Sequence, residues 1–449
     1  MTTTETNPFL AGNYAPVDEE ITEFALTVRG KIPAPLSGRY LRTGPNPLGA
    51  PPDPFHWFLG NGMIHGVELR DGQATWYRNR WVRTADVAAA FGEPTPTGPS
   101  QPLYDASNTN VVGYAGRILS LTEGCYPYEM SPELATLGRF TPSVGDLPHG
   151  LTAHPKIDPV SGDLHGFSYW FVEPYLYYHV IDASGAVTVS EPVTLPRPVS
   201  MHDFAITNDH VLFFDQPYIF DLAVAATNGF PYRWAPEFGA RLGIMPRGGT
   251  DADVRWVDTE TCYCFHPMNA YDDGNRVVVD VPRMRSIGGD VAPEVDDLVL
   301  ERWTVDLDAG ALTTERLDDD GQDFCRINEA HLGSRHRYGY TLAMGNPGDG
   351  DGPYGSTRIF KHDFARSGRE QHDFGSGRHP GEFVFVNDPE RAGDEDGGWV
   401  MGLVFDAREG RSELVILDAQ DFAGAEVAAI ELPRRVPYGF HGNWVADPR

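Results

Sequence analysis

Apolar and polar residues alternate in short runs along most of the chain, which is the pattern of strands with one buried face. Such strands are predicted at residues 77–83, 118–121, 165–172, 175–181, 210–215, 276–281, 298–306, 338–343, 357–363, 382–386, 399–406 and 413–418. Turn signals rich in Asp and Gly separate the runs, as at residues 71–72, 182–185, 273–274 and 308–310. Helical periodicity is limited to residues 84–91 and 221–228. The pattern favours an all-β sandwich, barrel or propeller over a fold that alternates strands and helices.

Composition changes this picture little. The 49 Gly and 37 Pro are spread along the chain, so no linker stands out and we predict one domain over residues 1–449. Residues 92–102 and 346–354 are predicted long loops. With 64 acidic residues against 35 Lys and Arg, the formal charge is −29, which argues against binding to nucleic acid. No protein partner is predicted.

The N-terminal residues lack the basic and apolar regions of a signal peptide, and no apolar run is long enough to span a membrane. We therefore expect a cytoplasmic protein, with peripheral contact at a membrane surface left open. Four cysteines are too few for a disulfide framework in a chain of this length. The C-x-C pair at Cys262 and Cys264 is interpreted as small buried residues rather than a metal pair, because no second pair has zinc spacing.

Four histidines lie in short segments of similar make-up: T-A-H-P-K, S-M-H-D-F, C-F-H-P-M-N-A and Y-G-F-H-G-N. They are His154, His202, His266 and His441, separated by 48, 64 and 175 residues. No helix could hold all four together, whereas successive propeller blades point strand ends at one axis, so the set favours a propeller. Four neutral imidazoles around one point require a divalent cation. The strongest alternative ligand is His149, and the others that stay open are His56 and His65.

A second signal is a series of short segments spaced along nearly the whole chain. They are G-R-Y-L-R-T-G-P-N-P from residue 38, H-W-F-L-G-N-G-M from 56, R-N-R from 78, N-T-N-V from 108, T-A-H-P-K-I-D-P from 152, M-H-D-F from 201, R-L-G from 241, F-H from 265 and G-F-H-G from 439. In this order they resemble the carotenoid cleavage oxygenases, a family that includes apocarotenoid- and stilbene-cleaving enzymes and the retinoid isomerase. The resemblance implies an all-β, seven-bladed β-propeller with long loops and short helices that cap the metal face.

The resemblance also implies one non-haem Fe(II) per chain, bound by His154, His202, His266 and His441. Iron fits this set better than zinc, because four neutral ligands leave the 2+ charge intact and octahedral Fe(II) keeps two positions open for O2 or substrate. Structural zinc prefers thiolates and a closed tetrahedron. The family supports three of the ligands with carboxylates, which match Glu123, Asp323 and Glu382. Asp323 stands where relatives commonly carry Glu, one methylene longer, so its reach depends on a backbone shift or a bridging water. No catalytic residue beyond the metal centre is implied.

The implied reaction is oxidative cleavage of a conjugated C=C bond, in which both atoms of O2 end in two carbonyl products. The stilbene-cleaving branch typically carries Lys immediately before the first supporting Glu, and here that position is Thr122. This difference favours an apolar polyene, a carotenoid or an apocarotenoid, over a stilbenoid or phenylpropanoid. A non-catalytic propeller and a redox-neutral isomerase remain alternatives. The residues predicted to line a substrate tunnel are Tyr104, Thr122, Tyr126, Trp170, Phe265 and Phe440.

Two further expectations concern the surface and the C-terminal segment. Residues 218–238 contain apolar clusters and are interpreted either as an apolar surface for substrate access or as a packed loop and helix. Because His441 lies eight residues before the last residue, deleting the last ten residues is expected to abolish iron binding. Deleting the last four is expected to be tolerated.

Overall fold

Strands dominate the computed structural model, which describes residues 7–51, 53, 55–101, 104–228, 230–287, 298–345 and 355–447. In chain order the first strands are β1 (Thr22–Glu23), β2 (Thr27–Gly30), β3 (Gly38–Pro45), β4 (Gly62–Arg70), β5 (Gln73–Trp81), β6 (Asn110–Tyr114), β7 (Arg117–Leu121), β8 (Tyr128–Met130), β9 (Thr136–Arg139), β10 (Lys156–Ile157), β11 (Leu164–Tyr169), β12 (Leu176–Ile181), β13 (Val187–Val193), β14 (Ala205–Ile206), β15 (His210–Asp215) and β16 (Tyr218–Phe220). They continue as β17 (Tyr232–Trp234), β18 (Ala240–Pro246), β19 (Arg255–Thr259), β20 (Asn269–Asp273), β21 (Arg276–Arg283), β22 (Val299–Asp306), β23 (Ala311–Asp318), β24 (Gln322–Arg326), β25 (Tyr338–Ala343), β26 (Arg358–Asp363), β27 (Gly368–Asp373), β28 (Arg378–Asn387), β29 (Gly398–Asp406), β30 (Arg411–Asp418), β31 (Ala428–Glu431) and β32 (Gly442–Ala446). Every predicted strand overlaps one of these.

The strands form seven antiparallel sheets of four or five strands, which are the blades of a β-propeller. The strand orders are β1-β5-β4-β3-β32 in blade 1, β6 to β9 in blade 2, β10 to β13 in blade 3, β14-β15-β18-β19 in blade 4, β20 to β23 in blade 5, β24 to β27 in blade 6 and β2-β31-β30-β29-β28 in blade 7. This arrangement confirms the predicted all-β, seven-bladed fold and excludes the sandwich and the barrel.

The ring is closed by strands from both ends of the sequence. In blade 1, β32 pairs with β3, with Gly442 opposite Arg42 and Ala446 opposite Gly38. Just beyond β32, Asp447 accepts hydrogen bonds from Arg39 at 2.6 Å and from Arg70 at 2.9 Å. Closure of this kind leaves no gap between the first and the last blade, so the blades hold one another in a fixed orientation about the axis.

The core lies between neighbouring blades. In β21, Val277, Val279 and Val281 are at most 1 % exposed and pack with Leu242 of blade 4 and Trp303 of blade 5. Burying an aliphatic side chain of this size contributes about 1.5–3 kcal/mol. Because each blade is packed on both faces in this way, the strand ends that reach the axis are held by rigid sheets.

Helices are few among the described residues. The two α-helices are α1 (Ala85–Phe91) and α2 (Leu222–Asn228), which confirm the two predicted helical stretches. Short 3-10 turns occur at Pro8–Leu10, Gly12–Tyr14, Trp57–Leu59, Pro236–Phe238, Asp251–Asp253, Glu329–His331, Pro389–Arg391 and Ala419–Asp421. Residues 92–101 have neither helix nor strand, as predicted, whereas residue 102 and the predicted loop at 346–354 lie outside the described residues. Nowhere in the described ranges is a helix long and apolar enough to cross a membrane.

A hairpin of β16 and β17 is inserted between β15 and β18, and α2 follows its first strand. This insertion contains the predicted apolar surface at residues 218–238. Ile219 is buried at 8 % exposure, while Leu222 is 69 % exposed. Among the described residues of this segment only Ile219 and Ala235 are buried, and the others are half-buried or exposed.

Candidate metal centre

The four predicted histidines meet on the propeller axis. Each lies a few residues before the first strand of a sheet or, for His441, before β32, and the contributing blades are 3, 4, 5 and 1. One ring nitrogen from each lies within 4.8 Å of the others. The Nε2 atom of His202 is 3.0 Å from Nε2 of His154 and 3.0 Å from Nε2 of His266. The rings meet mostly edge to face, so four nitrogen atoms point into one small space.

A carboxylate lies behind three of the four imidazoles, and these carboxylates come from the remaining blades, 2, 6 and 7. The pairs are His202 Nδ1 with Glu123 Oε1 at 2.5 Å, His266 Nδ1 with Asp323 Oδ1 at 2.8 Å and His441 Nδ1 with Glu382 Oε1 at 3.1 Å. Every blade thus contributes one residue to the group. These are the three carboxylates predicted from the sequence.

The hydrogen bonds to the carboxylates fix which nitrogen of each ring carries the proton. Since a carboxylate only accepts, Nδ1 must donate, and Nε2 of a neutral ring is then a bare lone pair. The lone pairs of His202 and His266 would face each other across 3.0 Å. A proton on His202 Nε2 could form a hydrogen bond with only one of the two imidazole nitrogens that lie close to it. A shared cation satisfies all the inward nitrogens at once, so the donor set fits a bound divalent metal.

Asp323 reaches His266 directly, despite its short side chain. The pairing of β24 with β25 shifts register between Asp323 and Arg326, and Phe324 adopts a left-handed backbone conformation with φ of 53°. A bulge of this kind re-aims the side chain beside it. The backbone shift therefore compensates for the side chain of Asp323 being one methylene shorter than that of Glu. Asp323 also accepts a hydrogen bond from the Phe324 amide at 2.8 Å.

His154 differs from the other three histidines. Its Nδ1 lies 3.9 Å from Asp203 Oδ2, which is beyond hydrogen-bond distance. The Asp203 carboxylate is instead paired with Lys156, whose Nζ lies 2.8 Å from Oδ1. His154 is positioned partly through its backbone amide, which donates to Thr152 Oγ1 at 2.9 Å.

The charges around the centre favour ionised carboxylates and, at every ligand except His202, a neutral imidazole. Burial by itself would raise the pKa of Glu382, but Arg326 and His441 outweigh it and lower that pKa to about 2. Burial likewise opposes ionisation of Glu123, whose pKa is nevertheless lowered by His202. Burial holds the pKa of His154 well below its usual value and lowers that of His266. For His202, burial is outweighed by Glu123 and the pKa is raised.

Arg326 is a site residue that the sequence reasoning missed. Its guanidinium donates to Glu382 at 2.9 Å and to the carbonyl of Gly442 at 2.6 Å. It therefore joins the carboxylate behind His441 to the strand that follows His441. Its place three residues after Asp323, in D-F-C-R, was the only signal in the sequence.

Three predicted tunnel residues lie beside the centre. Phe265 packs edge-on to His202, with ring centroids 5.2 Å apart. The Thr122 hydroxyl is within hydrogen-bond distance of Thr109 Oγ1 at 3.0 Å and Asn108 Oδ1 at 3.2 Å. Trp170 lies over the residue after Glu123, since a Cβ on Gly124 would come within 2.9 Å of its ring.

The other three tunnel candidates lie in neighbouring aromatic or apolar clusters. Phe440 packs on Trp57, with centroids 4.6 Å apart. The Tyr104 hydroxyl donates to the carbonyl of Phe58 at 3.2 Å. Tyr126 is half-buried against the core between blades 2 and 3.

The alternative histidine ligands take other partners and do not belong to the group of four. His149 lies parallel to Trp170 with centroids 6.2 Å apart, His56 Nδ1 accepts from the Phe58 amide at 3.2 Å, and His65 Nδ1 is 2.9 Å from the Tyr77 hydroxyl.

Known proteins match this chain along nearly its whole length. A family model described as retinal pigment epithelial membrane protein matches residues 14–446. A carotenoid cleavage oxygenase of Mycobacterium tuberculosis is 39 % identical, over 98 % of this chain and 97 % of the relative.

Solved structures agree with these matches. The lignostilbene dioxygenase of Pseudomonas brassicacearum has a TM-score of 0.87 at 28 % identity, over 98 % of this chain and 99 % of the other. A cobalt-substituted apocarotenoid oxygenase of Synechocystis has a TM-score of 0.82 at 25 % identity, over 96 % of this chain and 97 % of the other. The chain therefore belongs to the carotenoid cleavage oxygenase family and is a dioxygenase of that family, as the sequence predicted.

Proposed function

We propose that this protein uses one Fe(II), held by His154, His202, His266 and His441, to cleave a conjugated C=C bond of an apolar polyene. The polyene is a carotenoid or an apocarotenoid, and each of the two carbonyl products receives one atom of O2, so the reaction needs no external reductant. The observation that carries the proposal is the convergence of four inward-facing imidazole nitrogens with carboxylates behind three of them.

The donor set supports iron over zinc. Four neutral nitrogen ligands without a thiolate suit Fe(II) and leave room for further ligands. When bound, Fe(II) supplies the redox chemistry that allows O2 to react with an alkene. A cobalt-substituted relative with the same fold supports a divalent metal of this size. Glu123, Asp323 and Glu382 fix the tautomer and the orientation of three of the imidazoles and raise their basicity as ligands.

The remaining residues exclude water and align the substrate. His202 and Glu123 each keep 17 % of their side chains exposed, whereas His154 keeps 7 % and His441 keeps 5 %. The open side of the centre is therefore the one beside His202 and Glu123. Phe265 borders that side, so an apolar chain could lie flat against its ring. No acid–base pair is required, because the protein contributes alignment and a dry environment.

The polar groups near Thr122 favour a polyene over a phenolic stilbene. Thr122 is 3 % exposed and its hydroxyl is paired with Thr109 and Asn108. The Tyr104 hydroxyl is committed to the Phe58 carbonyl. This place therefore offers no cation and no free donor to a phenol. Similarity to the lignostilbene dioxygenase nevertheless keeps cleavage of stilbenoids or phenylpropanoids as a second candidate.

The test is incubation of the Fe(II)-loaded protein with a carotene, an apocarotenal and a hydroxystilbene under labelled O2. We expect the polyenes to be cleaved, with one labelled oxygen in each product mass. Cleavage of the stilbene alone would overturn the substrate assignment. An isomerised product without label would show redox-neutral chemistry. A protein that holds no stoichiometric iron after anaerobic loading would contradict the enzyme and support a non-catalytic propeller.

Access from a membrane surface, at a cytoplasmic location, is part of this proposal. Leu222 is 69 % exposed and Val172 54 % exposed, and the two are linked by the stacked rings of Phe171 and Phe220, 4.7 Å apart. These four residues would form an apolar patch beside the hairpin. We expect Leu222→Glu to reduce liposome binding and to raise the KM for liposome-borne polyene, while Val160→Glu, at a 91 % exposed position, leaves both unchanged. Equal behaviour of the two variants would contradict membrane access at this patch.

A further inference from the structure

Two tyrosine hydroxyls interact with Ser200, two residues before a metal-centre histidine, and a third interacts with one of these two. The Tyr263 hydroxyl donates to the Ser200 carbonyl at 3.1 Å and lies 3.5 Å from Ser200 Oγ. The Tyr169 hydroxyl interacts with the Ser200 side chain, and the Tyr232 hydroxyl interacts with that of Tyr169. These residues come from blade 3, the inserted hairpin and the segment before His266, so only the folded chain assembles the group. It is called the hydroxyl cluster below.

The hydroxyl cluster lies on the open side of the metal centre. The negative charge of Glu123 acts on all three phenols, which places them near the carboxylate that borders this side. Phe265 connects the cluster to the centre, since its ring is 4.8 Å from that of Tyr263 and 5.2 Å from that of His202. A polyene lying along Phe265 would therefore reach the hydroxyl cluster at one end.

The hydroxyl cluster brings together four hydroxyl groups, each of which can donate to another member or to a ligand. Tyr169, Tyr232, Tyr263 and Ser200 each carry one O–H. Burial raises the pKa of each phenol, and the charge of Glu123 adds to this, so all three stay protonated donors at neutral pH. The surroundings are otherwise aromatic, with Tyr218 against both Tyr232 and Tyr263 at 5.6 and 5.7 Å. An uncharged oxygen acceptor is the ligand that suits such a site.

We propose that the hydroxyl cluster binds the hydroxyl or carbonyl oxygen of an oxygenated polyene, and that this contact sets which double bond lies at the metal. The inference rests on the proposed function and narrows its substrate class from polyenes in general to those with an oxygen group. A hydrocarbon polyene offers these hydroxyls no acceptor, and a site that hydrogen-bonds a substrate oxygen discriminates against the analogue that lacks it. Because the hydroxyls here also bond one another, the expected discrimination is moderate, about tenfold in affinity.

Binding is measured apart from cleavage, by titrating a dihydroxy carotenoid and its parent hydrocarbon into Fe(II)-loaded protein without O2. The shift of the polyene absorption reports binding. We expect the wild type to bind the dihydroxy carotenoid about tenfold more tightly, and Tyr169→Phe or Tyr232→Phe to reduce this preference to within about threefold. With O2 admitted, the wild type should give one pair of product masses and the variants more than one, because the anchor that fixes the cleaved bond is lost.

The matched control is Tyr178→Phe, which removes a phenol hydroxyl from the strand next to β11. Tyr178 is 1 % exposed and its hydroxyl is 2.5 Å from His165 Nδ1, inside the blade. It should keep the wild-type preference and a single cleavage position. Equal affinity of the wild type for both polyenes, no binding of either, or an unchanged preference in both cluster variants would overturn the inference. If the preference holds but no polyene is cleaved, the hydroxyl cluster stands and the proposed reaction fails.

Discussion

Buried histidines occur in two regions of this propeller, and the two regions treat them differently. Within the blades, most buried imidazoles pair with a neutral group, and His336, 3.4 Å from Asp280, is an exception. Examples are His65 with the Tyr77 hydroxyl at 2.9 Å, His165 with the Tyr178 hydroxyl at 2.5 Å, His179 with the Ser168 hydroxyl at 2.9 Å and His362 with Gln322 Oε1 at 2.6 Å. On the axis, three imidazoles have a carboxylate behind them, and their other nitrogens face one another.

The difference shows what separates a core histidine from a metal ligand. Burial does not, because His179 and His154 are both buried. The combination of a carboxylate partner and a second nitrogen that faces other imidazoles does, since His210 also pairs with a carboxylate, Asp272 at 2.8 Å, without belonging to the group of four. A hydroxyl partner can donate or accept and leaves the tautomer open, whereas a carboxylate fixes the proton on Nδ1 and leaves Nε2 available for a cation.

The strongest test of the comparison replaces one histidine in each region. His441→Ala is expected to abolish stoichiometric iron binding, since it removes a ligand and leaves Glu382 without its imidazole partner. His165→Gln should bind one iron per chain, because its ring faces a phenol inside blade 3. Metal content after anaerobic loading gives the answer. Stoichiometric iron in the first variant or its loss in the second would break the distinction.

Deletions of different length in the C-terminal segment distinguish the loss of an axial histidine from the loss of a contact within a blade. Deletion of residues 440–449 removes His441 and β32, so we expect no iron binding. Deletion of residues 446–449 should retain iron but reduce the free energy of unfolding by about 1–3 kcal/mol, because Arg39 loses its bond to Asp447. The sequence alone predicts that this shorter deletion is tolerated, and the structure adds an expected loss of stability. Deletion of residues 448–449 is the control, and loss of iron from either shorter form would contradict the assignment.

Replacing a carboxylate tests whether iron binding depends on the partner behind an imidazole. Asp323→Ala is expected to weaken iron binding roughly 10–100-fold, because His266 then has no fixed proton position. Asp318→Ala is the matched control, since Asp318 Oδ2 lies 3.9 Å from Nδ1 of His362 in blade 6, a histidine that is not among the four on the axis. Iron affinity measured by competition with a chelator should change in the first variant alone. Equal affinities would show that the carboxylate behind His266 is dispensable.

The pH dependence of stability gives the smallest effect. Burial lowers the pKa of His165 to about 4, so between pH 6.5 and 4 the unfolded chain binds a proton that the folded protein does not. Stability therefore falls as the pH falls in this window. We expect His165→Gln to flatten the slope by about 1.4 kcal/mol per pH unit between pH 6 and 5. Denaturant unfolding of iron-loaded wild type and variant at several pH values measures this, and identical slopes would contradict it.

The fold was predictable because outer and middle strands keep a pattern set by local burial. The strand at Val299–Asp306 and the turn at residues 273–274 follow from alternation and from an Asp-Gly signal. The innermost strands were harder. β14 has two residues and β6 is buried at four of five positions, so neither alternates in a readable way.

The convergence of the four axial histidines was predictable from their flanking segments, but the contacts around them were not. The reach of Asp323 depends on a bulge at Phe324, which no local sequence rule specifies. Tyr169 and Tyr232 are separated by 63 positions and meet only after the hairpin folds back on blade 3, so their shared role at Ser200 has no signature along the chain. Contacts between distant segments are set by the closed ring of blades rather than by any one of them.

The closing strand has a consequence for biosynthesis. β32 follows every other blade strand in the sequence, and His441 arrives with it. While the ribosome is still translating this segment, the nascent chain can present three axial imidazoles at most, and Glu382 has no ring to orient. Iron delivered at that stage would meet an incomplete set of ligands. If the four histidines bind iron as proposed, cofactor insertion follows translation of β32, and chains released before it would compete poorly for cellular iron.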